Sequence, residues 1–450
     1  MNSSSGHIIG IFRACKTYYD KTEFFLFFSI SIAFLILNVN FNFNNACWDI
    51  TYKDPADYVY LAQHFWHVPH TVRCIPDFTE RFQEFLTLFP FRQIGVGTFY
   101  LFLYNIFGDF TLTIGPVILK IMIAVSYAVL GCCCSRRADR WAGIVCLIIL
   151  LVTTDYQNCG NALWSEPFLR MLFIFYMALL LSLQIKEKWS SVRMILGSWI
   201  LCLFVTHIKV QWMVLGLIIL TYQAWRLKQS KQWKHFILVI TLTLLIPISL
   251  LFVNWTGWHY SGFIAGNSLH TMEKHEYYFL MNICKEDQIK GLSPRFCNEQ
   301  QYDFETWGQF FAYQYPNQDI KKLILTMDQL SIKTQDYSLE AVLKSMYSGA
   351  VFITNFPYID KSVEPWGRFI DIIATLLCFS GLFVRSFRPV NIFCLSLWLI
   401  PLILYHFAIW DLRYMSPMAG LTMVAAFLTA RYWFIKFRHR FYGFFKLVKF

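Results

Sequence analysis

Residues 112–133 read LTIGPVILKIMIAVSYAVLGCC, residues 134–140 read CSRRADR, and residues 141–156 read WAGIVCLIILLVTTDY. Two apolar runs flank a short turn, and the first has the roughly 20-residue length that carries a helix across a hydrocarbon core. The turn holds Arg136, Arg137 and Arg140 against a single acid, Asp139. Such basic turns stay on the cytoplasmic side of a membrane, so the stretch predicts helix, inner turn, helix. It also sets the sidedness of every segment before and after it.

The same reading extends along the chain. Of 450 residues, 56% are hydrophobic, 19% aromatic and 15% charged, where ordinary soluble proteins carry about a quarter charged residues. Mean hydropathy is +0.44. This composition excludes a soluble enzyme, a disulfide-rich secreted domain and a disordered chain. Ten segments are apolar enough to cross: 24–41, 112–133, 141–156, 167–185, 192–206, 210–225, 236–254, 367–385, 390–409 and 414–434. The expected fold is therefore an all-α polytopic membrane protein of about ten transmembrane helices. An eleventh candidate, residues 94–107, would put the turns at 135–140, 186–193 and 226–234 outside if it crossed. The positive-inside rule opposes all three, so 94–107 reads as a juxtamembrane or half-inserted outer helix.

With the N-terminus inside, the cytoplasmic pieces are 1–23, 134–140, 186–193, 226–235, 385–389 and 431–450. They hold 21 basic residues but only four acids, Asp20, Glu23, Asp139 and Glu187. The net charge of +11 is thus loop charge, and no nucleic-acid partner is implied. The chain divides into a transmembrane core over 1–254, whose first outer loop is 42–111, a large outer loop over 255–366, three C-terminal spans over 367–434, and a basic-aromatic tail over 435–450. That tail is expected to lie on anionic lipid. Segment 24–41 reads as a retained first span rather than a cleaved signal peptide.

Thirteen cysteines are present. Cys47, Cys74, Cys159, Cys284 and Cys297 face outward and could pair in an oxidising compartment, with connectivity open. Those in or beside spans read as small packing residues. His64, His67 and His70 recur every third residue, but Pro69 interrupts them and no acid or cysteine is interleaved. Asn254-Trp255-Thr256 is a sequon that abuts a span end.

The first outer loop carries Lys53-Asp54-Pro55-Ala56-Asp57-Tyr58-Val59-Tyr60-Leu61-Ala62. Asp54 reads as a helix N-cap with Pro55 at the first helical position and Asp57 near the positive end of the dipole. Asp54, Tyr58 and Ala62 share one face. A carboxylate there is favoured in its ionised form and suits a proton acceptor or a metal ligand. Later come Phe89-Pro90 and a stretch from Tyr100 to Gly108, then Trp164-Ser165-Glu166-Pro167, then Trp410-Asp411-Leu412-Arg413-Tyr414-Met415-Ser416-Pro417.

In order and sidedness these motifs resemble the GT-C superfamily of polytopic glycosyltransferases, which includes protein O-mannosyltransferases and the aminoarabinose transferase of lipid A. Asp-x-x-x-Tyr-x-x-x-Ala is similar to their first-loop signature. The resemblance covers roughly residues 20–210 and 390–434. It implies inverting transfer of a sugar from a polyprenyl-phosphate carrier to a lipid, glycan or protein acceptor on the outer or lumenal face. The membrane would be a bacterial inner (plasma) membrane, or the ER membrane in a eukaryote. By this resemblance Asp54 is the catalytic acid of the first loop. Pro55 stands where many relatives have a second acid, which leaves Asp57 as a substitute and leaves open a divalent cation, magnesium or manganese. Glu166 falls where the superfamily often has a second outer acid. Tyr58, Arg170, His207, Lys209, Arg413 and Tyr414 are the expected substrate-binding residues.

Each has an ordinary alternative. Glu166 sits beside Pro167 as a helix-start acid, and Glu166 and Arg170 at i, i+4 can simply pair. Lys209 can meet a carrier phosphate as a point charge or snorkel to water, while Arg413 suits bidentate phosphate contact. Two other functional classes stand beside the enzyme: a transporter or flippase of a lipid-linked or anionic solute, in which Lys120 is the one ionisable residue deep in a span, and a non-catalytic subunit of an envelope assembly.

Overall fold

The computed structural model describes residues 21–37, 53–68, 84, 86–90, 92–154, 163, 165–183, 192–263, 319, 321–322, 338–354, 364–404, 418 and 420–448. Every regular element among them is helical. The α-helices, in chain order, are α1 (Lys21–Leu37), α2 (Lys53–Trp66), α3 (Gly95–Phe107), α4 (Thr111–Arg137), α5 (Arg140–Val152), α6 (Ser165–Leu183), α7 (Val192–Ile208), α8 (Met213–Gln229), α9 (Trp233–Trp258), α10 (Leu339–Thr354), α11 (Glu364–Gly381), α12 (Arg388–Leu404) and α13 (Leu421–Val448). Short 3₁₀ turns, Gly108–Phe110 and Val210–Trp212, precede α4 and α8.

Among the described residues, each of the ten apolar segments overlaps a helix: α1, α4 to α9, and α11 to α13. Three helical stretches are long and apolar enough to cross a membrane, namely Gly95–Arg137, Ser165–Ser182 and Trp233–Trp258. The other apolar helices are shorter. Two elements reach beyond the apolar segments. Helix α13 does not end near residue 434 but continues to Val448, absorbing most of the tail, because its basic and aromatic residues are helix-compatible and contain one glycine, Gly443. Helix α10 lies within the large loop and packs on α12 and α11.

Local chemistry explains the boundaries. The Asp139 side chain accepts the Ala142 N–H at 3.0 Å and caps α5. Helix α2 ends where His67 adopts a left-handed φ of 52° and the Val68 N–H bonds back to the Gln63 carbonyl at 3.0 Å. Helix α9 ends in the same way at His259.

Helix α4 lies at the centre, packed on α1, α5 and α6, while α6 passes contact on to α7 and α12, and α13 rests on α5, α11 and α12. Contacts between chain-distant residues define two ends. At one, Ser135 Oγ donates to Glu23 at 2.5 Å, Arg137 to the Ser386 carbonyl at 3.3 Å, and Arg431 pairs with Asp139. These are the basic turns. At the opposite end, His64 Nε2 bonds the Gly257 carbonyl at 3.1 Å and Trp258 Nε1 donates to the Leu86 carbonyl at 3.1 Å. Helix α3 belongs to this second end. It leaves α4 through Gly108, whose φ is 55°, and packs mainly on α2, so closely that a Cβ on Gly97 would stand 1.9 Å from the Tyr58 carbonyl oxygen.

Candidate functional site

The end opposite the basic turns gathers a line of buried polar side chains. Asp57 on α2, 2% exposed, accepts from Arg92 Nε at 2.9 Å, and the same guanidinium lies 5.5 Å from the Tyr58 ring centroid. Gln93, next in the chain, accepts the Val210 N–H at 3.2 Å. Lys209, next to Val210, donates to Glu166 Oε1 at 2.9 Å, and Ser165 Oγ donates to Glu166 Oε2 at 3.0 Å. One turn deeper on α6, Arg170 Nε donates to Tyr127 OH at 2.6 Å and Nη2 to the Leu150 carbonyl at 3.0 Å.

Two sequence expectations are corrected here. Glu166 takes Lys209 as its ion-pair partner, not Arg170 one turn away. Arg170 turns instead to the C-terminal end of α5. Leu150 is among the last residues of that helix, whose carbonyls lack intrahelical partners, and a cation there also suits the helix dipole. The second correction concerns Lys209. It is 9% exposed and does not snorkel to water, because Glu166 supplies the counter-charge inside.

His207 Nε2 bonds Ser249 Oγ at 3.0 Å, which ties α7 to α9 at the same end as Lys209. Tyr58 is buried beneath Arg92. Helix α2 begins at Lys53, so Asp54 lies in its first turn rather than before it; its side chain, together with Arg413 and Tyr414, lies outside the described residues. The last helix is nonetheless anchored at this end. Gly420, φ 80°, approaches Thr153 so closely that a Cβ would stand 2.2 Å from its hydroxyl, and Thr153 Oγ1 is 3.5 Å from Arg170 Nη2.

The described residues missing from the sequence-level site are Arg92, Gln93, Tyr127, Thr153, Thr154 and Ser165. Tyr127 OH and Thr154 Oγ1 are 2.7 Å apart. The adjacent threonines at the C-terminal end of an otherwise apolar run were the available signal; Arg92 and Gln93 carried none beyond their polarity.

Asp57 and Glu166 are each paired with a basic side chain, and among the described residues no group of three or more His, Cys, Asp or Glu could hold a metal ion. Of the three histidines, His64 is engaged by Gly257, His67 ends a helix, and His70 is outside the described residues. The outward cysteines also lie outside them. Asn254 of the sequon is 3% exposed, and its Nδ2 donates to the Gly262 and Phe263 carbonyls at 2.7 and 3.0 Å.

No protein-family model, curated protein or solved structure matches this chain.

Proposed function

We propose that this chain is a multi-pass membrane glycosyltransferase of GT-C type, with ten spans, that moves a sugar from a polyprenyl-phosphate carrier to an acceptor on the outer face. The observation that supports it is the buried line from Asp57 through Arg92, Gln93, Val210 and Lys209 to Glu166. That line joins the helix beginning beside Asp54 to the second outer acid and to an outer lysine, at the end opposite the basic turns.

In this reading the acceptor hydroxyl oxygen attacks the anomeric carbon while the bond to the carrier phosphate oxygen breaks. Asp54 takes the hydroxyl proton. Lys209, with Glu166 as its resting partner, and Arg413 stabilise the departing phosphate. Arg170 is a positioning residue, since its described bonds fix the end of α5 against α4 and α6. Asp57 positions α2 through Arg92.

Replacing Asp54 with Asn separates charge from fold. Loss of a first-turn acid costs about 0.3–1 kcal/mol of helix stability, whereas loss of a general base costs about 10²–10⁴-fold in rate. Transfer from a polyprenyl-phosphate sugar pool in membranes carrying folded Asp54→Asn protein should fall at least a hundredfold, within the order of that range. Full activity would remove Asp54 from the chemistry. Topology is tested separately: a cysteine at Ser230, exposed after α8, should be shielded from an impermeant outside reagent, and one at Ser261, exposed after α9, should label. Labelling of Ser230→Cys from outside would reverse the orientation.

A second reading, carriage of an anionic or lipid-linked solute, draws on Lys120, 1% exposed within α4. It requires that Lys120→Met abolish transport in vesicles while Asp54→Asn leaves it intact.

A further inference from the structure

Helix α10 stands within the large outer loop, and its start is set locally. The Ala341 N–H donates to Ser338 Oγ at 3.2 Å and the Val342 N–H to the Ser338 carbonyl at 3.0 Å, so Ser338 caps the helix. Met346 packs against the buried core, and α10 rests on α12 and α11. The opposite side is exposed. Leu339, Leu343 and Tyr347, spaced by four, form one ridge along it, with Leu339 74% and Tyr347 73% exposed. Glu340 and Lys344, exposed as well, form the neighbouring ridge, about 100° further round the helix.

An exposed apolar ridge marks a contact surface, and its surroundings select the occupant. Helix α11, on which α10 packs, exposes Phe369, Ile370, Ile372 and Ile373 in its first half. In the ten-span reading these residues face lipid near the outer side, so the ridge of α10 adjoins a lipid-facing surface. The two ridges also have the order that a helix lying in a membrane interface requires: an apolar side to sink and a charged side to stay in water. A tyrosine ring suits that boundary, since its body is apolar and its hydroxyl polar. A protein partner is disfavoured by size. Five described residues of α10 are exposed, whereas a stable protein interface uses about 20–30 residues a side.

We propose that α10 is an interfacial helix seated in the outer leaflet. Leu339, Leu343 and Tyr347 sink to the boundary of headgroups and acyl chains, and Glu340 and Lys344 face the water. The large outer loop is thereby held on the membrane beside α11 and α12. This inference rests on the multi-pass reading, though not on the glycosyltransferase chemistry.

The test places the photo-crosslinking residue p-benzoylphenylalanine at Leu343 of the full chain in phosphatidylcholine vesicles. Irradiation should raise the mass of the chain by one phosphatidylcholine, as it should with the same residue at Ile370 of α11. At Lys344, on the charged ridge, the yield should be several-fold lower. Leu339, one turn earlier on the apolar ridge, gives a second reading if the Leu343 variant does not fold. Lipid adducts at Ile370 with only intrachain or chain-to-chain crosslinks at Leu343 and Leu339 overturn the proposal and leave the multi-pass reading standing. Equal lipid yields at Leu343 and Lys344 overturn the orientation of the ridges. Absence of lipid adducts at Ile370 as well as at Leu343 overturns the multi-pass reading and the proposal with it.

Discussion

Helices α6 and α9 both read as spans, yet they occupy opposite environments. Helix α9 carries no acidic residue, and 22% of its most apolar stretch is buried in the bundle; Ile237, Leu244, Ile248 and Phe252 face outward. Helix α6 carries Glu166 and Arg170, and 78% of its stretch is buried, with Phe173, Ile174, Met177 and Leu181 fully enclosed. The less polar helix is the peripheral one. Lipid tails solvate an apolar helix on all sides, whereas a helix with charges needs protein to supply partners and is drawn to the centre. Hydropathy therefore finds helices of both kinds but inverts the soluble-protein intuition about which is the core.

This contrast can be broken experimentally. The largest effect is expected at the charges of α6. Lys209→Met leaves Glu166 buried without its partner and should cost about 3–5 kcal/mol, read as a fall in thermal stability of the purified chain. Adding Glu166→Gln should recover much of it, and no recovery would mean that the pair does not hold α6. Next in size is Ile174→Ala, which opens a cavity in the enclosed face of α6 at about 2–5 kcal/mol. The smallest is Leu244→Ala on α9, 58% exposed, which should stay within about 0.5 kcal/mol of the wild type. Equal melting shifts for Ile174→Ala and Leu244→Ala would show that α9 is not peripheral.

Most of the helices were legible in the sequence because the signals are local. An apolar run and the charges at its ends sit within about 25 residues of one another. Several members of the buried polar line were legible in the sequence, but their pairing was not. Arg170 was singled out as a charge inside an apolar run, Lys209 by its place in a short turn, and Asp57 and Glu166 by their helix-start positions and the family resemblance, but the nearest candidate partner on the helix was the wrong one. Arg92 and Gln93 could not be found, since nothing in a polar dipeptide states that Asp57 or the Val210 amide will stand opposite it.

The chain's composition, the positions of its apolar helices and the gathering of basic residues in short turns follow from the sequence, because hydration cost and charge act residue by residue. Which helix is central, that Glu166 holds Lys209 while Arg170 caps α5, and that Gly97 lets α3 press onto α2 were decided only by the tertiary structure. Those outcomes depend on which groups arrive within about 3 Å of one another after packing, where a buried charge takes the partner that geometry offers.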